Sequence, residues 1–116
     1  SPENAKKWLR AHVRALLFMR QNPDEAAQIA ARELKLERDV AQEAIKQAQG
    51  FMSTEDPGGS TEQGIRLQIQ YSSERLNIDP EKVKTSDVAD FTLLREVQRE
   101  LGIQCRGGYQ CQSGGR

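Results

Sequence analysis

The chain has 116 residues, 17 Lys and Arg against 17 Asp and Glu, and 36% hydrophobic residues. That length makes one domain with one modest core, and no uninterrupted apolar run approaches the ~18–20 residues that cross a bilayer, so direct membrane insertion is not expected. Zero net charge argues against a nucleic-acid binder, which needs excess positive charge to displace counterions from phosphates.

Ser1-Pro2-Glu3-Asn4 reads as the opening of a helix, with a Ser N-cap, Pro at the first helical position and an acid in the first turn. A chain opening on such a cap is expected to be a mature fragment or an excised domain. The first helix is expected from Pro2 to about Gln21. Trp8, His12, Ala15 and Met19 share one face at helical spacing, and Leu9, Val13, Leu16 and Leu17 share its neighbour. The polar stripe of Lys7, Arg10, Arg14 and Gln21 is narrow. A helix this apolar is expected to be buried on more than one side, more than a handful of short helices can surround, so a covering partner is expected.

Asn22-Pro23-Asp24-Glu25 starts a second helix. Asn22 can accept from a free amide, and Glu25 stands where a capping-box acid belongs. This helix, to about Leu34, presents the small residues Ala26, Ala27, Ala30 and Ala31 with Ile29. A third, from about Arg38 to Met52, is expected to put Val40, Ala44, Ala48 and Phe51 on one face with Ala41, Ile45 and Met52 beside them, and to loosen at Gly50. Thr54 to Ser60, centred on Asp56-Pro57-Gly58-Gly59, is a turn.

Ile65, Leu67, Ile69 and Tyr71 alternate with polar residues as a strand would, but Ile65, Ile69 and Leu76 also satisfy helical spacing. The capping box Ser60-Thr61-Glu62-Gln63 decides for a helix. Asp79-Pro80-Glu81 caps a short turn, and Asp87 or Asp90 opens a last helix with Phe91, Leu94, Val97 and Leu101 inward and Gly102 at its C-cap. Five of the nine glycines fall after Leu101, and residues 104–116 are expected to form a flexible Gly-rich tail.

The zero charge is a cancellation. Residues 1–22 carry five bases and one acid, whereas residues 23–64 carry nine acids and four bases. Helices with complementary faces, or two solvated faces that never meet, both fit that pattern.

Catalytic chemistry is poorly supplied. His12 is the sole histidine, and Glu3 is the one acid in its helix, so a general base would lack its orienting carboxylate. Packing is its expected role. Cys105 and Cys111 are separated by five residues, unlike a C-x-x-C pair. They close a small disulfide loop in an oxidising compartment or stay free thiols in a reducing one. No metal site and no cofactor are expected. Gly58-Gly59-Ser60-Thr61 resembles an anion-binding turn before a helix, yet Glu55, Asp56 and Glu62 surround it and no Lys follows, so a capped turn is expected. Arg10 and Arg14 could engage a carboxylate or phosphate, but a solvated stripe is the expectation.

Gln21-Asn22-Pro23-Asp24-Glu25-Ala26-Ala27-Gln28-Ile29-Ala30-Ala31-Arg32-Glu33-Leu34, following a basic, Trp-bearing helix, resembles a stretch of the solute-binding proteins of ABC importers, in the nitrate/sulfonate/taurine and thiamine-precursor family. The helix from Arg38, the helix from Ser60 and the closing Ser86-Asp87-Val88-Ala89-Asp90-Phe91-Thr92-Leu93-Leu94-Arg95-Glu96 fit as well. The likeness spans about residues 1–103 and rests on the order of the elements. It implies an all-α chain of about five helices that is the helical C-terminal region of a two-lobed α/β periplasmic binding protein (type II). It implies a non-catalytic, periplasmic receptor that captures a small-molecule solute and delivers it to an ABC permease, with the first helix covered by the rest of its own chain or by self-association. The matching motifs are caps and packing faces, so no ligand-binding residue follows from them.

Two rival classes are an independent helical interaction domain docking through the first helix and a small DNA-binding regulator. The latter is disfavoured because Asp39 and Glu43 offset Arg38 and Lys46 on the helix that would enter a groove.

Overall fold

The computed structural model describes residues 1–51 and 55–111, and among these the chain is all-α, with no strand. The five expected helices are α1 (Pro2–Gln21), α2 (Pro23–Leu34), α3 (Arg38–Phe51), α4 (Glu62–Leu76) and α6 (Thr92–Glu100). A 3₁₀ turn at Pro80–Lys82 and the four-residue α5 (Thr85–Val88) lie between the last two. The expectations for Met52, for Thr54, for the side chain of Phe51 and for residues 112–116 lie outside the described residues.

The caps explain the boundaries. Ser1 Oγ accepts from Asn4 N–H, and Pro2 and Pro23 occupy first-turn positions where no amide partner is missed. Asn22 departs from expectation: its side chain caps no amide of α2 and instead donates back to the Phe18 carbonyl. Thr61 accepts from Gly64 N–H at 2.9 Å, which settles the ambiguous segment as a helix. Ile65, Ile69 and Ser73 face inward at helical spacing, whereas Leu67 and Tyr71, the other half of the alternating pattern, are exposed. Asn77 in the left-handed region ends α4, with Ile78 N–H reaching Ser73 O. Asp90, not Asp87, opens α6 by accepting from Thr92 N–H and Oγ1; Asp87 instead accepts from Lys84 N–H at the start of α5. Gly102, φ +76, closes α6, with Gly102 N–H on Arg99 O and Ile103 N–H on Gln98 O, the paired bonds of a Schellman motif.

The core sits between α1 and α6. Val13, Leu94 and Val97 are its buried centre, with Leu9, Leu17, Phe91, Leu101 and Ile103 packed around them. The helices α2 and α3 pack as a hairpin through Ala26, Ala27 and Ala41, where small side chains let backbones approach. On α3 the inward residues are Ala48 of the expected face and Ala41 and Ile45 expected beside it, whereas Val40 and Ala44 of that face are exposed. Gly50 remains helical. The α4 helix packs on α5 and the 3₁₀ turn, and among the described residues it lies alongside no other helix. Arg66 fastens this unit by donating to Val83 O and Pro80 O.

Cys105 and Cys111 are joined by a disulfide. Within the segment expected as tail, Tyr109 N–H donates to Ser60 O at 2.7 Å, Gln110 Oε1 accepts from Phe91 N–H, and the Tyr109 ring meets Phe91 edge-on. Residues 104–111 therefore have specific packing partners, which the absence of periodicity did not suggest.

Candidate functional site

The α1 helix has one buried and one open side. Its inner line, Leu9, Val13 and Leu17, enters the core. The line expected to be buried beside it is half-buried only at Met19, whereas Trp8 is 64% exposed and stacks on the exposed His12, ring centroids 5.0 Å apart. Trp8, Ala5 and Leu9 face Asp90 and Leu93 across an open groove between α1 and the start of α6. Phe18 is exposed further along the helix. Trp8 thus leaves an aromatic face in water beside that groove, as Leu34, Leu67, Tyr71 and Leu76 leave apolar side chains exposed elsewhere.

Of the polar stripe Arg10, together with the neighbouring Lys6, is used internally. Lys6 Nζ and Arg10 Nη2 each lie 3.0 Å from a different oxygen of Glu100, so α1 is clamped to α6. Two bases of the positive segment thus meet a carboxylate of the last helix. Arg14 is exposed, and the Arg10/Arg14 pair does not act together. The hydrogen bond from Lys6, followed by that from Arg10, holds the Glu100 carboxyl below its ordinary value, and the same bond raises Lys6. The signs follow directly. A depressed carboxyl contributes stability above its unfolded value, lost as pH falls through the folded one; a raised lysine contributes below its unfolded value, lost as pH climbs through the folded one. Thermal melts of wild type and Glu100→Gln should therefore separate slightly at neutral pH, with wild type higher, and converge in acid.

The glycine turn holds an anion, but the anion is the chain's own. Asp56, Arg95 and Gln98 are 4%, 4% and 1% exposed. The Asp56 carboxylate takes both terminal nitrogens of Arg95 and, at 2.8 Å, the amide of Gln98. Arg95 also donates to Gln98 Oε1 and, through Nε and Nη2, to Tyr109 O, while Gln98 donates to Pro57 O. Pro57 and Gly58, φ +89, with Gly59 N–H on Asp56 O, form the kind of turn that takes Pro then Gly at its centre. No buried side-chain nitrogen or oxygen among the described residues lacks a partner, so this cluster is a satisfied structural hub.

Sequence reasoning missed this hub. Its signal was present in part: Arg95 and Gln98 lie three apart on the α6 face that also carries Leu94 and Val97, and polar groups on an apolar face need a buried partner. Among the described residues no three His, Cys, Asp or Glu side chains gather as metal ligands. Comparison with family models, with curated proteins and with solved structures gave no match.

Proposed function

We propose that this chain is the helical C-terminal region of a solute-binding receptor serving an ABC importer for small solutes of the nitrate, sulfonate, taurine or thiamine-precursor kind. In this reading it is non-catalytic, and its open α1 face is covered by the rest of the receptor. The carrying observation is the exposed Trp8 on its apolar groove, set within the helix order on which the resemblance rests. The disulfide supports an extracytoplasmic setting, since such bonds persist in oxidising compartments. No described helix is long and apolar enough to cross a membrane.

Trp8 is the only tryptophan, so its fluorescence reports the surface directly. The chain alone should melt with weak cooperativity and emit as a water-exposed indole when dilute, or self-associate with a shift of that emission to the blue as its concentration rises. The product of the parent reading frame should emit to the blue, and a thermal-shift panel of nitrate, taurine, alkanesulfonates and pyrimidines on that product should raise its melting temperature with at least one solute. A parent frame that starts at Ser1, or no shift with any of the panel, counts against the receptor.

One observation favours the second reading, an independent interaction domain. The Val13, Leu94 and Val97 core already gives the inner side of α1 a partner within the chain. A sharply cooperative, monomeric melt of residues 1–116 would select it.

A further inference from the structure

The 105–111 loop bridges two units that otherwise meet through few groups. On one side stands α6, packed on α1; on the other stands the head of α4, whose helix lies alongside neither. Tyr109 joins them. Its carbonyl accepts from Arg95 on α6, its ring packs on Phe91, and its N–H donates to Ser60 O just before α4. Gln110 adds the bond to Phe91 N–H at 2.6 Å. The loop reaches this position with Gly107 and Gln110 at positive φ. A non-glycine residue in that region is disfavoured unless its surroundings hold it; here the Phe91 N–H bond to its side chain and the loop closure by Cys105–Cys111 both do so.

We infer that the Cys105–Cys111 disulfide is a redox-operated clasp: closed, it holds Tyr109 across α6 and the head of α4; opened by a dithiol, it releases the loop and leaves α1, α2 and α3 folded. In the opening step a thiolate of the dithiol attacks one sulfur, and the second thiol resolves the mixed disulfide. The S–S bond breaks, both cysteines leave as protonated thiols, and the dithiol leaves as its own disulfide. The inference does not rest on the receptor role, although both draw on the same disulfide: unchanged exchange on reduction would overturn the clasp alone, whereas the solute panel tests the receptor alone.

The test is amide hydrogen exchange on the full chain, oxidised and then reduced with dithiothreitol. On reduction the Tyr109 and Phe91 amides should exchange about tenfold faster or more, as for a local opening, while Ala27 and Ala41 amides keep their rates. Reoxidation with glutathione disulfide should restore the slow exchange. A Cys105→Ser/Cys111→Ser variant should match the reduced chain and ignore dithiothreitol; if it does not fold, reduced and alkylated wild type serves the same comparison. Unchanged rates at Tyr109 and Phe91 would overturn the clasp. So would an equal acceleration at every amide, which marks a global stabiliser, or two thiols that glutathione disulfide cannot oxidise.

Discussion

Asp56→Ala is expected to lower the stability of the protein by about 3–5 kcal/mol, the usual loss when one partner of a buried ion pair is removed. The substitution leaves the Arg95 guanidinium, 4% exposed, facing a space where two of its nitrogens had met a carboxylate. Gln98 loses an acceptor as well, and the turn that Asp56 starts keeps only the Gln98 bond to Pro57 O as its side-chain anchor on α6. Native domains hold only ~5–15 kcal/mol in total, so this one change removes a large part of the margin. At roughly 4 °C per kcal/mol for a chain of this length, the melting temperature should fall by about 12–20 °C in a circular dichroism scan. Arg95→Met should fall by a similar amount. The double variant is the informative one: with both charges gone the buried penalty disappears, so Asp56→Ala/Arg95→Met should be markedly more stable than the sum of its parts. Strict additivity would show that the pair is not coupled as its geometry requires.

The helices were legible because each is marked locally. Pro2, Pro23 and Thr61 stand where a first turn begins, Gly102 stands where one ends, and the bounds of α1, α2 and α4 follow from such residues. The inner line of α6 was legible too, since Leu94 and Val97 recur at helical spacing. What was not legible depends on pairings far apart in the chain. Asp56 is 39 residues from Arg95 and 42 from Gln98, and each looks locally like an ordinary turn or helix-surface residue. On α3 apolar residues lie on two adjacent lines, so the pattern alone did not decide that Ala41 is buried and Val40 exposed. The 105–111 loop escaped notice for a related reason: its contacts reach Ser60, Phe91 and Arg95, far away in the chain, and several run through the backbone of Tyr109, which no local pattern encodes.

The two halves of α1 carry different work. Its inner line and its Lys6 and Arg10 side chains fix it to α6, so its orientation does not depend on any further protein. Its outer line, headed by Trp8, is thereby presented in a fixed direction on a rigid element. In the proposed reading, where a partner covers this face, an aromatic held this way loses little conformational freedom on being covered. Trp8→Ala should accordingly leave the isolated chain nearly as stable as wild type, since the ring is mostly in water, and should act on association instead.

Gly59→Ala is expected to destabilise by about 2–4 kcal/mol, the range of an overpacked core that also breaks a buried pair. A Cβ on Gly59 would overlap the Asp56 carboxylate, and one on Gly108 would overlap both that carboxylate and Arg95 Nη2. Neither glycine has positive φ, so the cost lies in the overlap and not in the backbone. The carboxylate cannot swing aside without leaving Arg95 and Gln98. Two glycines from opposite ends of the second half of the chain thus admit the ion pair between them. Gly50→Ala supplies the contrast: a Cβ there meets nothing within 4 Å inside α3, and exchanging helical Gly for Ala should stabilise by up to ~1 kcal/mol. Chemical denaturation of the three variants should give opposite signs at 50 and at 59 and 108. In the Asp56→Ala background the Gly59→Ala loss should shrink to a fraction of its wild-type value, because the group that it displaces is gone. A full loss in that background would mean that Gly59 is required by the turn itself and not by the carboxylate it accommodates.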